Sequence, residues 1–299
     1  MPLIDEIVLK IGDWSGKNLT IQPLSGGLTN TNYKIIVDGI SFFVRVPGES
    51  TELLAVDRQN EYFNSKAAAQ SGIGPKVIHH IPEYNVMVLE FLEGKTMSKE
   101  SLNMTGMPTR IARSIKVLHS GPRFLTDFNM FRLTEYYLDI CKKYDIPLPP
   151  GYRDKLPEVA RIEKALGIHP VKTVPCNNDL LAENYIDDGD QLRIIDYEYS
   201  GNNDPCFELG NTCQELEYHE DQIQELCRTY FGEITKARIA RMKLNMIMSD
   251  VGWTLWAAIQ ARISKIEFDF WGWAVERSAR AVLKFESDLY PEWLQEVSF

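Results

Sequence analysis

The sequence has no C-x-x-C pair among its five cysteines, Cys141, Cys176, Cys206, Cys213 and Cys227. It therefore offers neither a zinc knuckle nor a dithiol redox site, and the odd thiol count fits a reduced, cytoplasmic protein. It has no surplus of positive charge. Lys and Arg number 32 against 42 Asp and Glu, a net charge of −10, which excludes the basic surface a nucleic-acid binder needs. It has no long apolar run either. The most apolar window, Val251 to Ile259, is broken by Gly252 and Thr254 and is about half the ~20 residues of a spanning helix, so no membrane insertion is expected. Met1 to Trp14 alternates acidic and apolar residues without a basic n-region, so no signal peptide is expected. Repeats and low-complexity tracts are missing too, which excludes fibrous and disordered architectures. What is present is the make-up of a globular enzyme: 299 residues, 44% hydrophobic and 25% charged. One core is near its upper size limit at this length, so two lobes are expected, with the site at their interface.

The two lobes differ in pattern. Leu19 to Leu24, Thr31 to Val37 and Ile40 to Val46 are rich in strand formers, and Asp38-Gly39 between the last two is a hairpin signal. Thr51 to Ser71 carries good helix formers and stops at Gly72 and Gly74-Pro75. Two more strands, Lys76 to Ile81 and Asn85 to Leu89, precede the connector Glu90 to Gly94. The first lobe is therefore placed at residues 1–93 and the second at 94–299. The second reads as helices around Thr109 to His119, Met130 to Lys143, Tyr152 to Leu166 and from Cys206 onward. One hairpin, Asn184 to Asp187 with Gln191 to Ile195, interrupts them. The predicted fold class is α+β: an antiparallel sheet with one helix, then a mostly helical lobe.

The chemistry gathers at that hairpin. Asp179 and Asn184 sit at the two ends of a five-residue step that ends at its first strand, and Asp196 comes directly after its second, and a hairpin brings its ends together. A carboxylate to take a hydroxyl proton, with an amide oxygen and a second carboxylate to hold Mg²⁺, is what phosphoryl transfer needs. Gly26-Gly27 between strand-like segments would let backbone N–H groups approach a phosphate. Arg45, among apolar strand residues, requires an anionic partner. Three features are set aside. His79-His80 face opposite sides of a strand, Cys206 and Cys213 have core spacing on a helix, and His119 at a helix end reads as a C-terminal cap.

These residues resemble the choline/ethanolamine kinase family, within the kinase-like small-molecule phosphotransferases that include the aminoglycoside phosphotransferases. The resemblance runs through Leu24-Ser25-Gly26-Gly27-Leu28-Thr29-Asn30, Val44-Arg45-Val46, Glu61, Gly74-Pro75-Lys76, Asn178-Asp179-Leu180-Leu181 with Asn184, Asp196-Tyr197-Glu198-Tyr199, and Phe207-Glu208-Leu209-Gly210-Asn211. It ends in the stretch from Trp253 to Ala274. It implies a two-lobed protein-kinase-like fold binding ATP and Mg²⁺ in the cleft. Asp179 would be the base, and Asn184, Asp196 and Glu198 the metal ligands. Ser25, Gly26, Gly27, Thr29, Asn30, Arg45 and Glu61 would serve the nucleotide, with the backbone around Glu90 and Leu92 meeting adenine. One departure stands out: Asn177 occupies the place of the family's usual histidine two before the base, which implies a differently bonded brace for the metal loop.

The acceptor is read from aromatics. Trp253 and Trp256 share a helix face in a helix running from about Lys236 to Lys265, with Gln260 a turn later. Trp271 and Trp273 point about 200° apart on the next helix, and the family pattern selects Trp273, leaving Trp271 to the core. A quaternary ammonium can be held only by π-faces and nearby carboxylates, and Glu215 with Tyr218, after a Gly210-Asn211 turn, are the family's matching carboxylate and aromatic. The expected partner is a small cationic alcohol, which the resemblance implies is choline, and a homodimer is compatible with the family. The alternatives are ethanolamine, thiamine or an aminoglycoside as acceptor, or a silent pseudokinase that binds nucleotide or a cationic ligand.

Overall fold

The computed structural model describes residues 4–24, 27–48 and 51–299. A short helix, α1 (Ile4–Leu9), precedes three antiparallel strands, β1 (Leu19–Leu24), β2 (Asn30–Val37) and β3 (Ile40–Pro47). Asp38 and Gly39 both take positive φ, 48° and 87°, the turn that matches the twist of a two-residue hairpin. Helix α2 (Arg58–Gln70) is shorter than the sequence suggested. Its start is fixed by Asp57, whose carboxylate accepts the N–H groups of Gln59 and Asn60 at 2.9 and 3.0 Å, so Thr51–Leu54 forms a separate 3₁₀ turn. Strands β4 (Val77–Ile81) and β5 (Val86–Glu90) complete a five-stranded sheet of order β1-β2-β3-β5-β4. Its buried face, Ile35, Val37, Val44, Val46 and Val88, packs with Ile7 and Trp14.

The second lobe contains more strand than expected. Strand β6 (Lys95–Thr96) follows the connector, and helices α3 (Lys99–Leu102), α4 (Met107–His119), α5 (Met130–Lys143) and α6 (Leu156–Ile168) come next. Then come β7 (Val174–Cys176), the predicted hairpin β8 (Tyr185–Asp187) and β9 (Leu192–Ile194), and β10 (Gly201–Asn203). Strand β6 adds to the hairpin and β7 pairs with β10. These pieces of two or three residues are too short for a periodic signal. The chain closes with α7 (Pro205–Glu215), α8 (Glu220–Phe231), α9 (Lys236–Ile263), α10 (Phe270–Phe285) and α11 (Tyr290–Glu296). Gly210-Asn211 is not a turn but lies inside α7. A Cβ on Gly210 would stand 2.7 Å from the Met242 carbonyl, so this glycine permits close approach of α7 and α9. All five cysteines are free and buried, and no helix among the described residues is long and apolar enough to cross a membrane.

Buried amides fasten the lobes together. Asn60 and Asn64 on α2 donate to the Ser200 carbonyl at 2.9 and 3.1 Å, and their oxygens accept the Thr126 hydroxyl and the Leu125 N–H at 2.7 and 2.8 Å. Buried polar groups persist only when paired in this way, so α2 is held in one position above the second lobe.

Candidate active site

The segment bearing Asp179 is an irregular loop whose backbone N–H groups need partners. Helix α7 supplies most of them. Glu208, wholly buried, accepts the N–H of Asn177 at 3.0 Å and of Asn178 at 2.6 Å. One turn on, Asn211 accepts the N–H of Leu180 at 2.9 Å. The N–H of Asp179 itself goes to Oδ1 of Asn177 at 3.0 Å. Asn178 and Asp196 take left-handed backbone, φ 71° and 64°, which Asn and Asp tolerate better than other side chains. Asn177 bridges to the loop that carries Asp196, donating from Nδ2 to the carbonyls of Ile195 and Asp196 at 3.1 and 2.7 Å. The departure in sequence thus keeps a brace, made by an amide.

Asp179, Asn184 and Asp196 line one cleft of about 510 Å³ together with Glu198. Asn184 donates to the Asp179 carbonyl at 2.7 Å, and its Oδ1 has no protein partner among the described residues. Burial, then the neighbouring carboxylates Glu215 and Asp196, hold the Asp179 carboxyl well above the usual carboxylate range. Burial and Asp196 raise Glu198 as well. Oxygen donors of this kind are chemically suited to a hard divalent cation.

Arg45 meets its expected partner and one more. It pairs with Glu61 and with Asp196 at 2.5 Å, which holds its guanidinium charged despite burial. Arg58, which sequence reasoning missed, reaches Glu61 at 2.8 Å, Glu198 at 3.1 Å and the side chain of Asn30 at 2.9 Å. Its spacing three before Glu61 was the available clue. Asn30 also donates to Glu198 at 3.0 Å, so its amide is committed to protein groups. Gly27 (φ 91°) and Thr29 line the cleft, whereas Ser25 and Gly26 lie outside the described residues. The Glu90 N–H is bonded to the Lys76 carbonyl at 2.8 Å and so cannot also serve an adenine. The backbone of Leu92 makes no bond among the described residues.

The far half of the cleft is aromatic. Trp253, Trp256 and Trp273 all line it. Trp256 meets Trp273 edge to face at a centroid distance of 6.0 Å and donates its indole N–H to the Tyr199 hydroxyl at 2.6 Å. Phe268, 5.6 Å from Trp273, lines the same space. Glu215 lines it as well, but both its oxygens receive Arg277 at 2.7 Å. The Arg277 guanidinium sits 4.2 Å from the Trp273 ring centroid. Tyr218 stands elsewhere: it is buried in a hydrophobic cluster separate from the one that holds the box tryptophans and gives its hydroxyl to the Leu102 carbonyl at 2.8 Å. Trp271 is not core but 37% exposed. His119 is no cap. It is buried, with Nδ1 2.7 Å from the Tyr230 hydroxyl and Nε2 3.4 Å from Cys176 Sγ and from Glu208.

A two-lobed kinase-like fold whose cleft joins a carboxylate-amide-carboxylate set to an aromatic box defines a small-molecule phosphotransferase. The choline/ethanolamine kinase family model matches residues 21–282, and the chain belongs to that family. It is therefore a phosphotransferase with an alcohol acceptor, acting on a small amino-alcohol. It is similar to a choline/ethanolamine kinase family protein of Mesorhizobium loti, at 33% identity over 99% of each chain with a TM-score of 0.86. The choline kinase LicA of Streptococcus pneumoniae is 26% identical over 94% of this chain and 98% of that one, with a TM-score of 0.80. Ethanolamine kinase 1 of Mus musculus is 28% identical, covering 88% of this chain and 83% of its own. An aminoglycoside 2'-phosphotransferase-IIIa shares the fold alone, at 14% identity over 94% of this chain and 97% of its own with a TM-score of 0.66.

Proposed function

We propose that the protein transfers the γ-phosphoryl group of ATP, bound with Mg²⁺, to the hydroxyl of choline. Residues 1–93 would serve the nucleotide, and 94–299 would carry the base and the acceptor box. The observation that carries this reading is the single cleft that Asp179, Asp196 and the box tryptophans share. A hydroxyl held near Asp179 while its cationic end lies in the box would be presented to the phosphoryl group.

Asn184, Asp196 and Glu198 would hold Mg²⁺, which when bound neutralises charge on the transferred phosphoryl group. Asp179 accepts the hydroxyl proton as the acceptor oxygen attacks, and its raised proton affinity suits that task. Arg45, fixed between Glu61 and Asp196, supplies positive charge toward the α/β-phosphates. The loop from Gly27 to Thr29 covers them, and the unbonded Leu92 backbone offers main-chain groups to adenine. In the box, Trp256 and Trp273 present π-faces to an ammonium that has no proton to donate. Choline is favoured over ethanolamine because Glu215, the expected carboxylate, is already neutralised by Arg277. Five free, buried cysteines support a reducing compartment such as the cytoplasm.

The test is ADP release by purified protein with ATP, Mg²⁺ and a panel of alcohols. The expected result is the highest kcat/KM for choline. An aminoglycoside or thiamine as the best acceptor would replace this reading.

A further inference from the structure

The acceptor end of the cleft carries more negative charge than the aromatic box accounts for, and most of it is committed. Asp179, Asp196 and Glu198 belong to the phosphoryl end. Glu215 is held bidentate by Arg277. Glu217 pairs with Lys99 at 2.6 Å and with Arg280 at 3.6 Å. Two lining carboxylates make no ion pair or hydrogen bond among the described residues: Glu183 and Glu276. Glu183 lies in the 3₁₀ turn beside Asn184, outside the two helices that carry the box tryptophans. Glu276 is on α10, three residues after Trp273, and residues three apart share one helix face.

We infer that Glu276 is a specificity-determining residue, the carboxylate that meets the ammonium end of the acceptor once it enters the box. The inference rests on the amino-alcohol reading and deepens it. An aromatic box lowers the energy of any cation, but it offers no acceptor to an N–H donor. A carboxylate at its edge attracts every ammonium by charge and forms a charge-assisted hydrogen bond only with those that carry protons. Glu276 therefore sets how far this box admits a primary ammonium beside a quaternary one. Because the residue is exposed, water and salt moderate its contribution, and an exposed pair of this kind changes affinity by about two- to fivefold.

The test is steady-state kinetics of the wild type, E276Q and E183Q with choline and with ethanolamine at low and high ionic strength, with melting temperatures in parallel. E276Q is expected to lower kcat/KM for ethanolamine by about two- to fivefold through KM, with a smaller change for choline. Added salt shrinks the difference, and the melting temperature stays near wild type. Equal kinetics of E276Q and wild type on both substrates would overturn the inference while leaving the amino-alcohol reading intact. The same selective loss appearing in E183Q alone would overturn it in favour of Glu183. Failure of the wild type to phosphorylate any amino-alcohol is a separate outcome, which would remove the reading on which the inference rests.

Discussion

The two halves of the cleft are built on different physical plans. At the phosphoryl end, every backbone N–H from Asn177 to Leu180 is received by a side chain, and Arg45 and Arg58 lie in a buried lattice with Glu61, Asp196 and Glu198. At the acceptor end, rings from α9 and α10 meet edge to face, with unpaired carboxylate at the edge. The first plan fixes a few atoms closely. The second shapes a volume. Rate should therefore depend on the phosphoryl end, and choice of acceptor on the box.

The largest expected effect breaks the first half alone. Asp179→Asn should lower kcat by about 10²–10⁴, the usual contribution of a positioned base, while nucleotide affinity measured by calorimetry stays within about threefold. Activity near wild type would remove Asp179 from the role.

Asp196→Ala should abolish the enhancement of ATP binding by Mg²⁺ if the carboxylate is the metal ligand proposed above, a group that also pairs with Arg45. Removing it also leaves Arg45 with Glu61 alone among its direct partners, so Asp196→Asn is the companion that keeps the shape. An unchanged Mg²⁺ dependence in both variants would remove Asp196 from the metal site.

Trp256→Leu addresses the other half. It keeps apolar volume but loses a π-face and the bond to Tyr199. KM for choline should rise about two- to thirtyfold, the range of one cation–π contact, with kcat little changed. A fall in melting temperature with KM unmoved would make this tryptophan plain core.

The smallest effect concerns the charge cluster behind the box. Burial raises the carboxyl of Asp250 to about 6, against its ordinary 3.8, even though Arg280, Lys284 and Arg277 oppose the shift. The folded state then binds this proton more tightly than the unfolded state does. Its contribution to stability is present at low pH and is lost as pH rises from about 4 through about 6. The fall in melting temperature across that window should be steeper in wild type than in Asp250→Asn, and equal slopes would contradict the shift.

The contrast between the halves also explains what could be read from sequence. The convergence of Asp179, Asn184 and Asp196 on one cleft was legible because they cluster along the chain around one hairpin, and the five-stranded sheet because Asp38-Gly39 and the alternating runs are local signals. Glu208 was visible as part of a motif but not as the receiver of two loop N–H groups, since that contact joins positions about thirty apart. The box was half legible. Helical spacing placed Trp253 and Trp256 on one face, but which side chains of α10 meet them depends on the crossing of two helices. Arg277 and Glu276 emerged only from the fold, Tyr218 was assigned by resemblance to a place it does not occupy, and the short strands β6, β7 and β10 carry no periodicity to detect.

The most direct measurement is steady-state phosphorylation of choline and ethanolamine by wild type, Asp179→Asn and Trp256→Leu side by side. A loss confined to kcat in the first variant and to acceptor KM in the second is the predicted result. A Trp256→Leu enzyme with unaltered KM for both acceptors, or an Asp179→Asn enzyme turning over at the wild-type rate, would contradict the division of labour between the two halves.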